Sequence, residues 1–149
     1  MLVVDDDEVI RGMLAFLLEG DGHTVEQATG GEAALEVLRR RSPDCMVLDL
    51  MMPDVDGLAV LHARQAEGLA PETRIVVLTA RAEGDDATWC WEAGADEFLT
   101  KPFDPDRLLR LVRVLADLSP ADAQHRRQQG LAHARQIAAI DTALRGRPL

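Results

Sequence analysis

The sequence predicts an α/β fold in which a parallel β-sheet is covered on both faces by helices. Three observations predict it. Short, almost wholly apolar runs recur along the chain, among them "LVV", "CMVL" and "RIVVL", and such runs suit strands buried on both faces. Between them lie single segments with apolar residues at helical spacing. The length of 149 residues accommodates one domain with an appendage and is too short for two domains of ordinary size. Strand and helix alternating in this way give right-handed crossovers and a doubly wound sheet.

The elements follow in order. Leu2 to Val4 is the first strand, β1. Val9, Ile10, Met13, Leu14, Leu17 and Leu18 then recur at helical spacing until Gly20 and Gly22, giving α1 with Asp7 as its N-cap and Glu8 in its first turn. "HTVEQAT" (23–29) reads as β2, and "GGEAALEVLRRR" (30–41) as α2, whose closing arginines complement the helix dipole. "CMVLDL" (45–50) is β3, "GLAVLHARQAEG" (57–68) α3, and "RIVVLTA" (74–80) a β4 rich in β-branched residues. Asp85 to Glu92 gives a short α4, "EFLT" (97–100) β5, and "PDRLLRLVRVLADL" (105–118) α5.

Composition narrows the function. Sixteen basic residues stand against 26 acidic ones, a net charge of −10, which argues against direct nucleic-acid binding and against anionic membranes. No apolar run approaches the roughly 18 residues of a membrane span, and the first residues lack the basic start of a signal peptide. A cytoplasmic protein is expected. Cys45 and Cys90 stand far apart without ligand-type spacing, so they read as free thiols rather than as a disulfide or a zinc site.

In open parallel sheets the site lies outside the carboxyl ends of the strands. Those ends carry Asp5 and Asp6 after β1, Asp49 at the end of β3, Thr79 at the end of β4 and Lys101 just after β5. Crowded like charges need compensation. Three carboxylates, a hydroxyl and an ammonium on one rim are what an oxygen-ligated Mg²⁺ beside a phosphoryl group requires. "DVDG" (54–57) has part of a calcium-loop pattern without its remaining ligands and reads as a turn into α3.

Four stretches, "VVDDDEVIR", "VLDLMMPDVDG", "VVLTAR" and "GADEFLTKPF", resemble in order and spacing the receiver domain of two-component response regulators, over residues 1 to about 118. The resemblance implies a CheY-like, flavodoxin-like fold with five strands in the order 2-1-3-4-5. It implies that Asp49 is the phosphoacceptor, attacking the phosphohistidine of a sensor histidine kinase or phosphotransfer protein. Asp6 would ligate Mg²⁺ directly, Asp5 mainly through water, and Asp49 and the Met51 carbonyl would complete the protein's share. Lys101 would pair with a phosphoryl oxygen, with Pro102 following a cis bond that aims it. Thr79 would turn its hydroxyl to the phosphoryl group and Phe98 would occupy the coupled switch position, without the hydroxyl of the tyrosine common there. Met51 and Arg81 would flank the path of attacking water and slow self-hydrolysis. Relatives usually carry a few more residues ahead of β1. Such a protein is a phosphoacceptor switch that promotes its own phosphorylation and dephosphorylation, and its α4-β5-α5 surface carries the response.

Two rivals are weighed. "VVDDDEV" also fits the D-x-D-x-V opening of haloacid-dehalogenase phosphohydrolases, with Asp5 as nucleophile and Asp7 as acid. Their lysine should precede the second acidic motif, whereas Lys101 follows "GDD" (84–86), and Asp49 would have no task. The other rival is a receiver fold that docks without being phosphorylated. Nothing in the site is missing that would favour it.

Residues 119–149 differ from the receiver, 1–118. Five arginines against two aspartates give them +3 and leave −13 on the receiver. Leu131, Ile137, Ile140 and Leu144 recur at helical spacing, predicting a helix from about Pro120 to Leu144 weakened at Gly130. Packing back on the acidic receiver, forming a dimer, and connecting to an effector are its three open roles. A homodimer through α4-β5-α5 or through this helix is accordingly a candidate assembly, with Asp96, Glu97, Arg110 and Arg113 as partial contributors. Trp89 and Trp91 cannot share one helix face. Trp91 is assigned to packing and Trp89 to an exposed anchor or a half-covered surface position.

Overall fold

The computed structural model describes residues 1–80 and 85–146. Five strands, β1 (Leu2–Val4), β2 (Glu26–Ala28), β3 (Cys45–Asp49), β4 (Arg74–Thr79) and β5 (Glu97–Thr100), form one parallel sheet in the order β2-β1-β3-β4-β5. The helices are α1 (Glu8–Gly20), α2 (Gly31–Arg40), α3 (Gly57–Glu67), α4 (Asp85–Glu92), α5 (Pro105–Asp117) and α6 (Pro120–Arg145). This is the expected doubly wound topology with C-terminal helices.

The apolar strand runs divide between two cores because successive side chains point to opposite faces. Leu2, Val4, Met46, Leu48, Ile75 and Val77 join the core that includes Leu35 and Leu38 of α2 and Val60 and Leu61 of α3. Val3, Val47, Val76 and Leu78 join the other, with Leu14 and Leu18 of α1 and Leu108, Val112 and Leu115 of α5. Residues four and three apart on α5 form one buried stripe, each large side chain contributing about 1.5–3 kcal/mol by leaving water.

Helix starts follow local chemistry. Asp7 accepts from the amides of Val9 and Ile10, Asp56 from Ala59, Asp104 from Asp106 and Ser119 from Asp122. Asp7 is therefore the N-cap that the sequence suggests. β2 is shorter than the seven-residue stretch read for it, since this edge strand pairs on one side only and only Glu26 to Ala28 meet β1.

α6 lies on α4 and the start of β5. Gly130 takes the Trp91 ring against its backbone, where a Cβ would sit 2.6 Å from the ring. Trp91 is thus a packing residue, while Trp89 is 46% exposed. The four residues named as partial contributors to a dimer surface make ion pairs within the chain: Asp96 is buried and pairs with Arg127, Glu97 pairs with Arg126, Arg113 with Asp21, and Arg110 with Asp104 at 3.8 Å. Among the described residues no helix is long and apolar enough to cross a membrane.

Candidate functional site

Register brings the polar strand ends together. Val4 of β1 faces Leu48 of β3, and Asp49 faces Leu78 of β4, so Asp5 and Asp49 emerge side by side on one edge with Thr79 next to them. Thr79 in turn faces Thr100 of β5, and the Lys101 amide donates to the Thr79 carbonyl at 2.7 Å. The bond after Lys101 is cis, as expected.

Asp5 and Asp49 are nearly inaccessible, at 1% and 4%, whereas Asp6 is exposed. The Asp5 side chain accepts from the Asp7 amide at 2.9 Å and from Lys101 Nζ at 3.2 Å, and its carbonyl accepts from Arg11 Nη1 at 3.0 Å. The Lys101 ammonium also stands 3.4 Å from Asp49 Oδ1, which accepts from the Met51 amide at 3.4 Å. Burial pushes the Asp49 carboxyl above its ordinary range and the neighbouring Asp5 charge adds to this; Lys101 opposes them.

Asp5, Asp6 and Asp49 each offer an oxygen, and these oxygens lie within 4.8 Å of one another, the only such His, Cys, Asp or Glu cluster among the described residues. A purely oxygen donor set suits a hard divalent cation. Three carboxylates against one ammonium leave negative charge uncompensated, so the residues present fit a metal in chemistry as well as in number.

The sequence-predicted residues Asp5, Asp6, Asp49, Thr79 and Lys101 thus converge on one rim. Thr79 is fully buried. The Met51 side chain is 63% exposed beside Asp49. Phe98 is half-buried against the core on the edge strand β5, paired with Val77. Arg81 lies outside the described residues.

Two supporting residues escaped the sequence reading. Gly57 begins α3 where a Cβ would meet the Asp49 carbonyl oxygen at 2.5 Å and Leu50 Cα at 2.8 Å, so only glycine lets the helix start this close to the acceptor strand. The glycine ending "DVDG" was the available signal. Arg11 holds the Asp5 backbone and, through Nε, Gln27 Oε1 at 3.1 Å. Its position one helical turn past Asp7 was the signal there.

Beside Lys101 an open cleft of about 410 Å³ is lined by Ile10, Met13, Pro102, Phe103 and Pro105. Val9, Met13 and Phe16 leave an apolar stripe of α1 exposed next to it.

Comparison with known proteins agrees with this geometry. The family model of the response regulator receiver domain matches residues 1–113. The response regulator MprA of Mycobacterium leprae is 43% identical over 115 residues, which cover 77% of this chain and 50% of that protein. The chain spans about half the length of the curated relatives it matches. Among solved structures, the receiver domain of NtrX from Brucella abortus superposes with a TM-score of 0.72 at 31% identity, covering 79% of this chain and 98% of that one. TrrA of Thermotoga maritima, in complex with Mg(2+)-BeF, gives a TM-score of 0.68 at 33% identity, covering 76% and 96%. The chain belongs to the response regulator receiver domain family of two-component signalling, whose members act as phosphoacceptor switches rather than as classical enzymes.

Proposed function

We propose that Asp49 is the phosphoacceptor of a Mg²⁺-dependent, cytoplasmic switch supplied by a sensor histidine kinase or a phosphotransfer protein. The observation that carries this reading is the pair of buried carboxylates, Asp5 and Asp49, bridged by the Lys101 ammonium beside the exposed Asp6. Residues 1–118 form the receiver in this reading, and 119–149 its helical extension.

An Asp49 carboxylate oxygen attacks phosphorus as the P–N bond to the donor imidazole breaks, and the bonding electrons leave with the imidazole. Asp6, Asp5, Asp49 and the Met51 carbonyl would hold Mg²⁺, which when bound neutralises charge on the phosphoryl oxygens. Lys101 exchanges its carboxylate contacts for a phosphoryl oxygen. Thr79 presents its hydroxyl to the same group, and Phe98 carries the change along β5 to the α4-β5-α5 face. The Met51 side chain screens the approach of water and, with Arg81, gives a long-lived acyl phosphate. TrrA, with its Mg(2+)-BeF, offers a relative with a comparable ligand.

The phosphohydrolase reading fits less well. It needs Asp7 as a free acid, whereas the Asp7 carboxylate caps α1. Phosphoryl incorporation from acetyl phosphate separates the two: it should be lost in Asp49→Asn and retained in Asp7→Asn. Loss in Asp5→Asn with retention in Asp49→Asn would reverse the assignment.

A further inference from the structure

We propose that α6 is an intramolecular clamp over the α4–β5 face and that phosphorylation of Asp49 releases it; the second half of this proposal rests on the phosphoacceptor reading above. The occupant of the face is this chain's own C-terminal helix.

Charge seats it there. The extension carries +3 against −13 on the receiver, and three of its five arginines pair with acids of α4, of β5 and of the residue just before β5. Arg126 meets Glu97, Arg127 Nε meets Asp96 Oδ1 at 2.6 Å, and Arg135 Nη2 meets Glu92 Oε1 at 2.8 Å. Asp96 is 1% exposed; its amide donates to the Ile75 carbonyl at 2.9 Å and its second carboxylate oxygen accepts from the Ile75 amide at 2.8 Å, which anchors the Arg127 contact to the sheet. At the crossing point Gly130 admits the Trp91 ring, as close as a side-chain-free backbone allows.

The hold is uneven along α6, tightest at Arg127 and looser toward Arg135. Partly exposed ion pairs contribute little individually, and Ile137, Ile140 and Leu144 on the second half of α6 stay more than half exposed. A contact of this strength can be reversed by a local change.

A short chain of contacts links the clamp to the site. Glu97 shares its carboxylate between Arg126 and the Phe98 amide, the latter at 3.0 Å. Phe98, with Arg107 of α5 and His133 and Ile137 of α6, lines an open cleft of about 620 Å³, which leaves the ring room to turn beneath α6. Phe98 pairs with Val77, two residues before Thr79 on β4. A shift of Thr79 toward a phosphoryl group therefore reaches Glu97 and α6 through adjacent residues of two paired strands.

Trp91 reports on the clamp directly. In a full-length Trp89→Phe background it is the sole tryptophan, and acrylamide quenching with the emission maximum reads its cover. Two independent releases are compared, Arg126→Glu with Arg135→Glu, and Gly130→Leu, whose side chain wedges the ring apart while favouring helix. Both should red-shift the emission and strengthen quenching without phosphorylation. The otherwise unchanged chain should show the same shift once acetyl phosphate and Mg²⁺ have added a phosphoryl group by intact mass. Quenching that neither release alters overturns the clamp. Quenching unchanged in chain proven by mass to be phosphorylated overturns the coupling while leaving the phosphoacceptor reading intact. A chain that gains no phosphoryl mass contradicts that reading and the coupling with it, and the release variants still decide whether α6 is held.

Discussion

The Lys101 ammonium stands 3.2 Å from Asp5 Oδ2 and 3.4 Å from Asp49 Oδ1, so a single positive charge bridges two buried carboxylates. One cation between two anions leaves the site negative, with Asp6 adding a third acid at its mouth. The fold therefore carries an electrostatic cost at this rim.

Removing the central charge should lower that cost. Asp49→Asn keeps the shape and leaves Lys101 paired with Asp5, so it should stabilise the metal-free protein by about 1 kcal/mol, or about 2–4 °C in Tm for a chain of this size. Calorimetry in chelator checks it, and a lowered Tm would show that Asp49 is already compensated.

Mg²⁺ should stabilise the unsubstituted protein through the same site. At a free concentration 100 times Kd the gain is about 2.7 kcal/mol. Asp6 is exposed and makes no anchoring contact with the core, so Asp6→Asn should leave metal-free stability nearly unchanged and lose most of the Mg²⁺-dependent rise. Equal rises in both proteins would move the metal elsewhere.

Gly57→Ala is expected to cost about 1–3 kcal/mol, because its Cβ must displace the Asp49 carbonyl or the first turn of α3. Phosphorylation from acetyl phosphate should slow as well, since the acceptor strand end moves. Urea unfolding and initial rates of mass gain measure both, and a variant unchanged in either would show that the strand end yields freely.

Acid should expose the tie between α1 and α5. Arg113 donates to Asp21 through both Nε and Nη2, and these bonds hold the Asp21 carboxyl below its ordinary range. A folded-state pKa below the unfolded one adds stability above the unfolded value, and that stability is lost as pH falls through the folded value. Arg113→Ala should therefore be less stable than the parent at neutral pH, with the difference closing in acid below the ordinary aspartate range. Denaturant titrations from pH 7 downward follow it, and a difference constant with pH would remove the ion pair as its cause.

Much of this molecule was legible in the sequence for a physical reason. Strands buried on both faces read as uninterrupted apolar runs, and helices between them carry one apolar stripe each. Because the ends of β1, β3, β4 and β5 share one edge, the polar residues that stop each run form the candidate site. What escaped depends on contacts between distant segments. Arg64 sits inside α3 as a buried charge whose Nη2 donates to the carbonyls of Ala70, Pro71 and Thr73, which a hydrophobic pattern cannot reveal. Asp96 and Glu97 read as surface acids, yet the crossing of α6 at Gly130 turns both toward arginines about 30 residues away. Gly57 read as an ordinary turn glycine, although its closeness to Asp49 follows from how α3 leaves the sheet.

Intact mass after incubation with acetyl phosphate tests the central claim most directly, comparing Mg²⁺ with chelator and the parent chain with Asp49→Ala. One added phosphoryl group that requires both Mg²⁺ and Asp49 is the predicted result, and it would make Asp5 and Asp6 the metal's holders. An adduct that forms in chelator, or that survives in Asp49→Ala, would contradict it.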